Sequence, residues 1–384
     1  MPSQTGLISR RLRRFVRLAL AALLALALPA LAATGFARPT PADSAPRHST
    51  QIREIALSRA PEGLVIHAGL TLRNVYALNL SEQSFMAEGW YWLSWDDAVQ
   101  AVLSRYKIQS NEIIEFANEI EPAQYRNLEV LPDAVGLPAG SNHSFYAKFS
   151  GKFYIDSVAQ HRAPFDHQHL RIDMEIRPAV LAVGADRVEL IPFSIKEFPI
   201  AGEFASVSGY GLGKTSWRRS SLVYVEPVGG VPGVGADDSV NHYSRITADL
   251  TYSPNHLTVF LKWLLPLMVV MAVVILSPSI DGALGDVRLA IPSAALLTLV
   301  VLHDGYKSYF PPAPYMTYLD KIYTYSYIVC LAIFLLFLVG TNAHSACHGD
   351  QRDAVVRRVN RLDLFVQLAS VLGFVVVAWW SWYS

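Results

Sequence analysis

Residues 286–304 read DVRLAIPSAALLTLVVLHD, an apolar run closed by an aspartate at each end. At helical spacing one face collects Asp286, Ala290, Ala294, Leu297, Val301 and Asp304, while Leu289, Ile291, Leu296, Leu299, Val300 and Leu302 fall on the others. At about 1.5 Å per residue the two carboxylates stand roughly 27 Å apart, close to the thickness of a hydrocarbon core. A stripe that is acidic at its mouths, small in its inner half and bulky at Leu297 and Val301 suits a helix that lines a water-filled pore in several copies. Acid rings concentrate cations, small residues leave room for hydrated ions, and apolar rings close the path by dewetting. The same stripe suits a helix packed inside a bundle, with Ala290, Ala294 and Ala295 allowing close approach and the acids wet at the interfaces. The stripe alone leaves both open.

Outward from it, the chain divides by pattern. Its 384 residues are 52% hydrophobic with a net charge of zero, so no basic excess exists to neutralise phosphates and a nucleic-acid partner is not expected. Residues 1–37 carry Arg10, Arg11, Arg13, Arg14 and Arg17, an Ala/Leu run from Leu18 to Leu28, and small residues up to Ala32 and Ala37. That is the pattern of a secretory signal peptide, the apolar run being short for an uncleaved anchor. The polar, Pro-rich segment 38–51 reads as a flexible mature N-terminus.

From 52 to 253 short alternating runs take over. Leu64, Ile66, Ala68, Leu70 and Leu72 share one face, and Phe85, Ala87, Tyr91, Leu93 and Trp95 oppose Glu88, Trp90, Trp92 and Ser94. Further strands are expected at 144–156, 169–176, 187–194, 217–225 and 243–252, with Gly/Pro punctuation densest at 227–238. Short strands without a helical period predict an all-β sandwich. No cysteine precedes Cys330, so this domain holds by its core without a disulfide.

Residues 254–384 form the transmembrane part, with apolar spans at 257–276, 287–306, 317–340 and 362–382. The loop 341–360 holds Arg352, Arg357 and Arg358 and is expected in the cytoplasm. Three spans then return the N-terminal domain to the periplasmic side, and a fourth takes the C-terminus there, where Trp379, Trp380, Trp382 and Tyr383 make an interfacial belt. His344, Cys347 and His348 have a spacing that could hold a metal, but with no fourth partner nearby no metal site is expected.

An exported β-domain followed by four spans, the second of them pore-like, resembles the prokaryotic pentameric ligand-gated ion channels, the Cys-loop receptor superfamily without its cysteine bridge. The run Ala163 to Leu170, APFDHQHL, is similar to the family's Phe-Pro-Phe-Asp-x-Gln signature loop, with Pro164, Phe165, Asp166 and Gln168 in the motif and Leu170 where animal members carry a cysteine. Thr71 to Trp95 looks like the first two strands, Pro266 like the proline of the first span, and Pro314 to Asp320 like the opening of the third. Counting back from Pro314 sets Leu297 at the mid-pore gate, Ala294 and Ala290 at lining positions, and Arg288 at the inner basic residue.

The resemblance implies an immunoglobulin-like β-sandwich over a four-helix transmembrane bundle, assembled as a homopentamer around a central pore. It implies a ligand site at subunit interfaces from Trp90, Arg177, Tyr224 and Tyr243, and coupling through Pro164, Phe165, Asp166, Gln168, His256 and Pro314. This chain departs from the family in three places. Arg177 stands where a binding tryptophan is usual and fits a carboxylate-bearing ligand. Pro254, Asn255 and His256 replace the arginine that pairs with the signature aspartate, leaving His256 as substitute. Pro292 lies inside the pore helix, which either kinks there or begins near Ile291, leaving Asp286 in a loop.

The expectation is therefore a ligand-gated or proton-gated channel of the bacterial inner membrane. Its agonist would be a small molecule or protons acting through His67, His167, His169 or His303; its permeant ions would be inorganic cations drawn by Asp286 and Asp304, and its surroundings membrane lipids. Arg288 and Lys307 oppose that selectivity if they face the lumen. No cofactor is expected, and no nucleophile-base-acid set suggests an enzyme. The alternative is a non-conducting, membrane-anchored periplasmic sensor, against which the short loop 341–360 leaves little room for a signalling domain.

Overall fold

The structure, a computed structural model, describes residues 52–58, 63–120, 127–131, 140–181, 187–193, 199–224, 241–280, 285–346 and 351–383. The segments read as signal peptide and mature N-terminus lie outside these residues, as do Cys347 and His348 and the side chains of Tyr224, Asp286 and His344. The chain forms two compact units, one built of strands and the other of the helices after Pro254 together with the loop Ala159–Asp166.

The strand unit contains β1 (Ile52–Ala56), β2 (Leu64–Asn79), β3 (Ser84–Trp95), β4 (Ile114–Phe116), β5 (Asn127–Leu131), β6 (His143–Tyr154), β7 (Gln168–Ile176), β8 (Val188–Pro192), β9 (Ala201–Phe204), β10 (Tyr210–Tyr224) and β11 (Asn241–Pro254). They make a five-stranded sheet in the order β1-β10-β11-β7-β4 and a six-stranded sheet running β5-β6-β3-β2-β8, with β9 also on β2. Period-two alternation explains which faces meet. Ile66, Ala68, Leu70 and Leu72 of β2 and Phe85, Ala87, Tyr91 and Leu93 of β3 are all buried, as are Leu170, Ile172, Met174 and Ile176 of β7. Rings from the two sheets touch: Phe116 of β4 lies 5.4 Å from Tyr91 and 4.8 Å from Phe149.

One helix interrupts the strands, α1 (Asp97–Tyr106). Asp96 caps it by accepting from the Val99 N–H at 2.9 Å, Lys107 closes it in the left-handed conformation, and Val99, Val102 and Leu103 are its buried face. Its ten residues follow directly on a strand, and the alternation before them hides the change of period.

The second unit has four helices long and apolar enough to cross a membrane: α2 (His256–Ser279), α3 (Gly285–Lys307), α4 (Tyr318–Ala346) and α5 (Gln351–Tyr383). Asn255 begins α2 by accepting from the N–H groups of Leu257 and Thr258, at 3.1 and 3.2 Å. Ahead of Pro266 the helix widens into a π turn over Phe260–Leu264, in which the Leu265 N–H reaches the Phe260 carbonyl. Proline lacks the N–H that would bond the carbonyl four residues back, and the wide turn accommodates its ring. α4 opens on a reciprocal cap, Thr317 N–H to Asp320 Oδ2 at 3.1 Å and Asp320 N–H to Thr317 Oγ1 at 3.2 Å. Much of the expected loop 341–360 is helical, the end of α4 and the start of α5, because QRDAVVRRVNR offers helix formers without glycine or proline.

Candidate functional site

The helix α3 is continuous from Gly285 to Lys307 with Pro292 inside it, so Asp286 belongs to the first helical turn. Only one backbone bond is lost at a proline, and the adjacent Ser293 hydroxyl donates to the Leu289 carbonyl at 2.9 Å. The helix has two distinct sides. Arg288, Pro292, Ala295, Leu299 and Tyr306 are buried against the other helices, whereas Ala290, Ala294, Leu297, Val301 and Asp304 are exposed. Leu297 is 69% exposed and Val301 64%, while Leu299, two residues from each, is 0% exposed. The five stripe residues whose side chains are described are all exposed, but they share that side with Val287, Ser293, Thr298 and Val300, so the uncovered face is broader than the stripe and takes in Val300, which the spacing sets on another face.

Arg288 is held inside that bundle. Its Nη2 donates to Asp363 Oδ2 of α5 at 2.7 Å and to the Pro278 carbonyl at the end of α2 at 3.3 Å, and its guanidinium lies 4.3 Å from the centre of the Phe337 ring of α4. At the other end of α3, His303 meets Asp320 through Nε2 at 2.9 Å, its ring stacking on Tyr323 at 4.6 Å, and Lys307 Nζ is 3.8 Å from the same carboxylate. The Tyr306 hydroxyl pairs with Thr317 Oγ1 at 2.7 Å. The Asp304 side chain stays on the exposed face.

The loop Ala159–Asp166 folds onto the helical unit. The His161 ring stacks on Tyr315 at 4.1 Å beside Pro314, and its carbonyl accepts from the Tyr318 N–H at 3.0 Å. Phe165, buried, meets His256, Tyr318 and Trp382 with ring centres 5.8–6.0 Å away, and Pro164 is buried behind it after a cis peptide. Asp166 accepts from the Arg162 N–H at 2.6 Å. Burial pushes its carboxyl above the usual value, opposed by that bond and by the charges of Arg162 and His161. His256 stacks on Phe165, and its Nδ1 has no hydrogen-bond partner among the described residues. Gln168, at the start of β7, is buried in the strand unit.

Of the residues expected at the ligand site, Tyr224 and Tyr243 lie on strands of one sheet and Trp90 on a strand of the other, while Arg177 follows directly after the end of β7. The ladder of β11 and β7 ends at the pair Arg245↔Glu175, and the Arg177 N–H donates to the Ile113 carbonyl at 3.0 Å. The Arg177 guanidinium lies 4.0 Å from Glu115, both about half exposed, so its charge is partly answered within the chain. Behind them Arg245 donates to the buried Glu175 at 2.6 Å. Burial raises the Glu175 carboxyl, against the charge and hydrogen bond of Arg245 that lower it. Trp90 is half-buried, and the Arg73 guanidinium lies over its ring at 5.9 Å. Among the described residues no three His, Cys, Asp or Glu side chains gather as a metal-ligand set.

Asp363 and His161 escaped the sequence reading. An acid inside an apolar span is costly unless paired, and Asp363 in RLDLFVQL was such a signal. His161 carries no comparable mark, since a histidine two residues before a loop motif is unremarkable until its ring finds Tyr315. Set against known proteins, the chain matches no protein-family model, and no curated protein matches it.

Proposed function

We propose that this chain is one subunit of a homopentameric ligand-gated ion channel of the bacterial inner membrane, cation-selective, with its two sheets forming an immunoglobulin-like sandwich in the periplasm. The observation that carries the reading is the division of α3 into a face packed on its own bundle and an opposite face of Ala290, Ala294, Leu297, Val301 and Asp304 left without cover. A helix sealed in a monomer would bury its small residues and show its bulky ones to lipid. Here small residues and an acid share the uncovered side with Leu297 and Val301, as a wet conduit with an apolar constriction requires.

Gating follows from the loop. A ligand held near Arg177 and Tyr243 against a neighbour's Trp90 shifts the population of a tilted arrangement of subunits. The His161 stack on Tyr315 and the Phe165 contacts with Tyr318 pass that shift to the segment between α3 and α4, turning Leu297 and Val301 out of the lumen. The test is current from purified protein in a planar bilayer under a salt gradient, during a screen of small metabolites and of pH. A reversal potential on the cation side supports the reading; one that follows chloride overturns the selectivity, and no current under any condition, from wild type and Leu297→Ser alike, overturns the channel.

A further inference from the structure

We infer that Asp363 determines the charge selectivity of the conduit by holding Arg288 out of it; the inference rests on the pore reading of α3. Arg288 stands two residues from Asp286, about 200° around the helix and about 3 Å along it. Were its guanidinium to reach the same mouth, each subunit would set one positive charge beside one negative one and the ring would lose its sign.

Three neighbouring helices prevent this. Asp363 of α5 supplies the countercharge at 2.7 Å, the Pro278 carbonyl at the end of α2 a second acceptor at 3.3 Å, and Phe337 of α4 a ring face at 4.3 Å. Arg288 is 6% exposed and Asp363 4%. The contact is not an efficient stabiliser, for Arg288 Nε and Asp363 Oδ1 are buried without hydrogen-bond partners among the described residues. Apolar residues of similar size would hold the helices together at least as well as such a pair. What the pair does is answer the Arg288 charge inside the bundle, at Asp363, rather than at the mouth of the proposed conduit. Without Asp363 the cation has a carbonyl and a ring but no countercharge, and a long flexible stem lets an arginine swing its head to the nearest water.

The experiment uses the full-length protein in planar bilayers, with reversal potentials read in a salt dilution series for wild type, Asp363→Asn and the neutral pair Arg288→Gln with Asp363→Asn. Five uncompensated arginines at a screened aqueous mouth should lower the cation-to-anion permeability ratio on the order of tenfold in Asp363→Asn, and the neutral pair should return it toward wild type. A merely structural role would alter assembly or current size and leave the ratio alone. Conducting Asp363→Asn channels with the wild-type ratio overturn the inference while leaving the channel itself standing. Should Asp363→Asn homomers fail to assemble, co-assembly with wild-type subunits tests the same point: a ratio graded with the share of variant subunits supports it, and an unchanged ratio overturns it.

Discussion

Leu297 and Leu299 are the same residue two positions apart on one helix, and they should answer to substitution in opposite ways. Leu299 is fully buried, with the Tyr327 hydroxyl donating to its carbonyl at 3.2 Å. Lipid tails are as apolar as leucine, so truncating it to alanine costs mainly lost packing, about 2 kcal/mol, the lower end of core leucine-to-alanine changes. Leu297 is 69% exposed, and cutting it back should cost the fold of the subunit only a few tenths of a kcal/mol, roughly in proportion to its small share of contacts. If α3 lines the proposed pore, the ranking reverses. Leu297→Ser replaces an apolar ring by a ring of hydroxyls, wetting the constriction and favouring the conducting state. Leu299→Ala should therefore lower the melting temperature in detergent and leave the resting current near zero; Leu297→Ser should melt close to wild type and carry a standing current without agonist. Equal loss of stability from both variants, with no standing current from Leu297→Ser, would show that Leu297 is packed within the bundle, and the assignment of faces on α3 would fall.

Three further outcomes follow from contacts elsewhere. A Cβ on Gly373 would collide with the Tyr325 hydroxyl, which donates to the Ser370 carbonyl at 3.2 Å. Gly373→Ala should thus push α5 off α4 at about 1–3 kcal/mol, read as a lower melting temperature that Tyr325→Ala partly restores. Arg245→Met strands the buried Glu175 and should destabilise by about 3 kcal/mol near neutral pH, with Glu175→Gln added to it recovering most of the loss. A carboxyl whose folded value is raised contributes stability that is present below its ordinary value and lost as pH rises through the raised one. Arg245→Met should accordingly recover on acidification, which melting curves across pH would show. The same sign applies to Asp166, whose carboxyl is raised by burial. Wild type should lose stability relative to Asp166→Asn as pH climbs above the ordinary aspartate value, and parallel curves for the two proteins would contradict the burial of that carboxyl.

How much of this was legible depended on whether a pattern is local. Alternation along β2 and β3 marked Ile66, Leu70, Phe85 and Leu93 as interior because a strand's two faces are written in its own residues. The ladder on the opposite face of β7 and β11 was not legible. Asp173 with Thr247 and Glu175 with Arg245 join residues seventy or more positions apart, and only the register brings them across from each other. The helix α1 went unseen for a different reason: ten residues give fewer than three turns, too few for a 3.6-residue period to stand out beside strong alternation.

The stripe on α3 shows where a sequence argument stops and what geometry adds. Spacing alone placed Ala290, Ala294, Leu297 and Val301 on one side, but a side is defined only against what covers the others, and that depends on Arg288 meeting three other helices and on Pro292, Ala295 and Leu299 being buried beside it. Arg288 looked like a rival to Asp286 while only its position was known. Paired with Asp363, seventy-five residues downstream, it is instead what turns the helix, because a buried guanidinium with one available carboxylate has few rotations in which both are satisfied. Asp304 has no counterpart of that kind: it is exposed, and the nearby Asp320 takes His303 and Lys307. The cations of α3 thus lie beside acids on other helices while Asp304 stays on the exposed face, and if that face lines the proposed pore, an acid left there after the neighbouring cations have been taken up elsewhere is the electrostatic condition for passing cations.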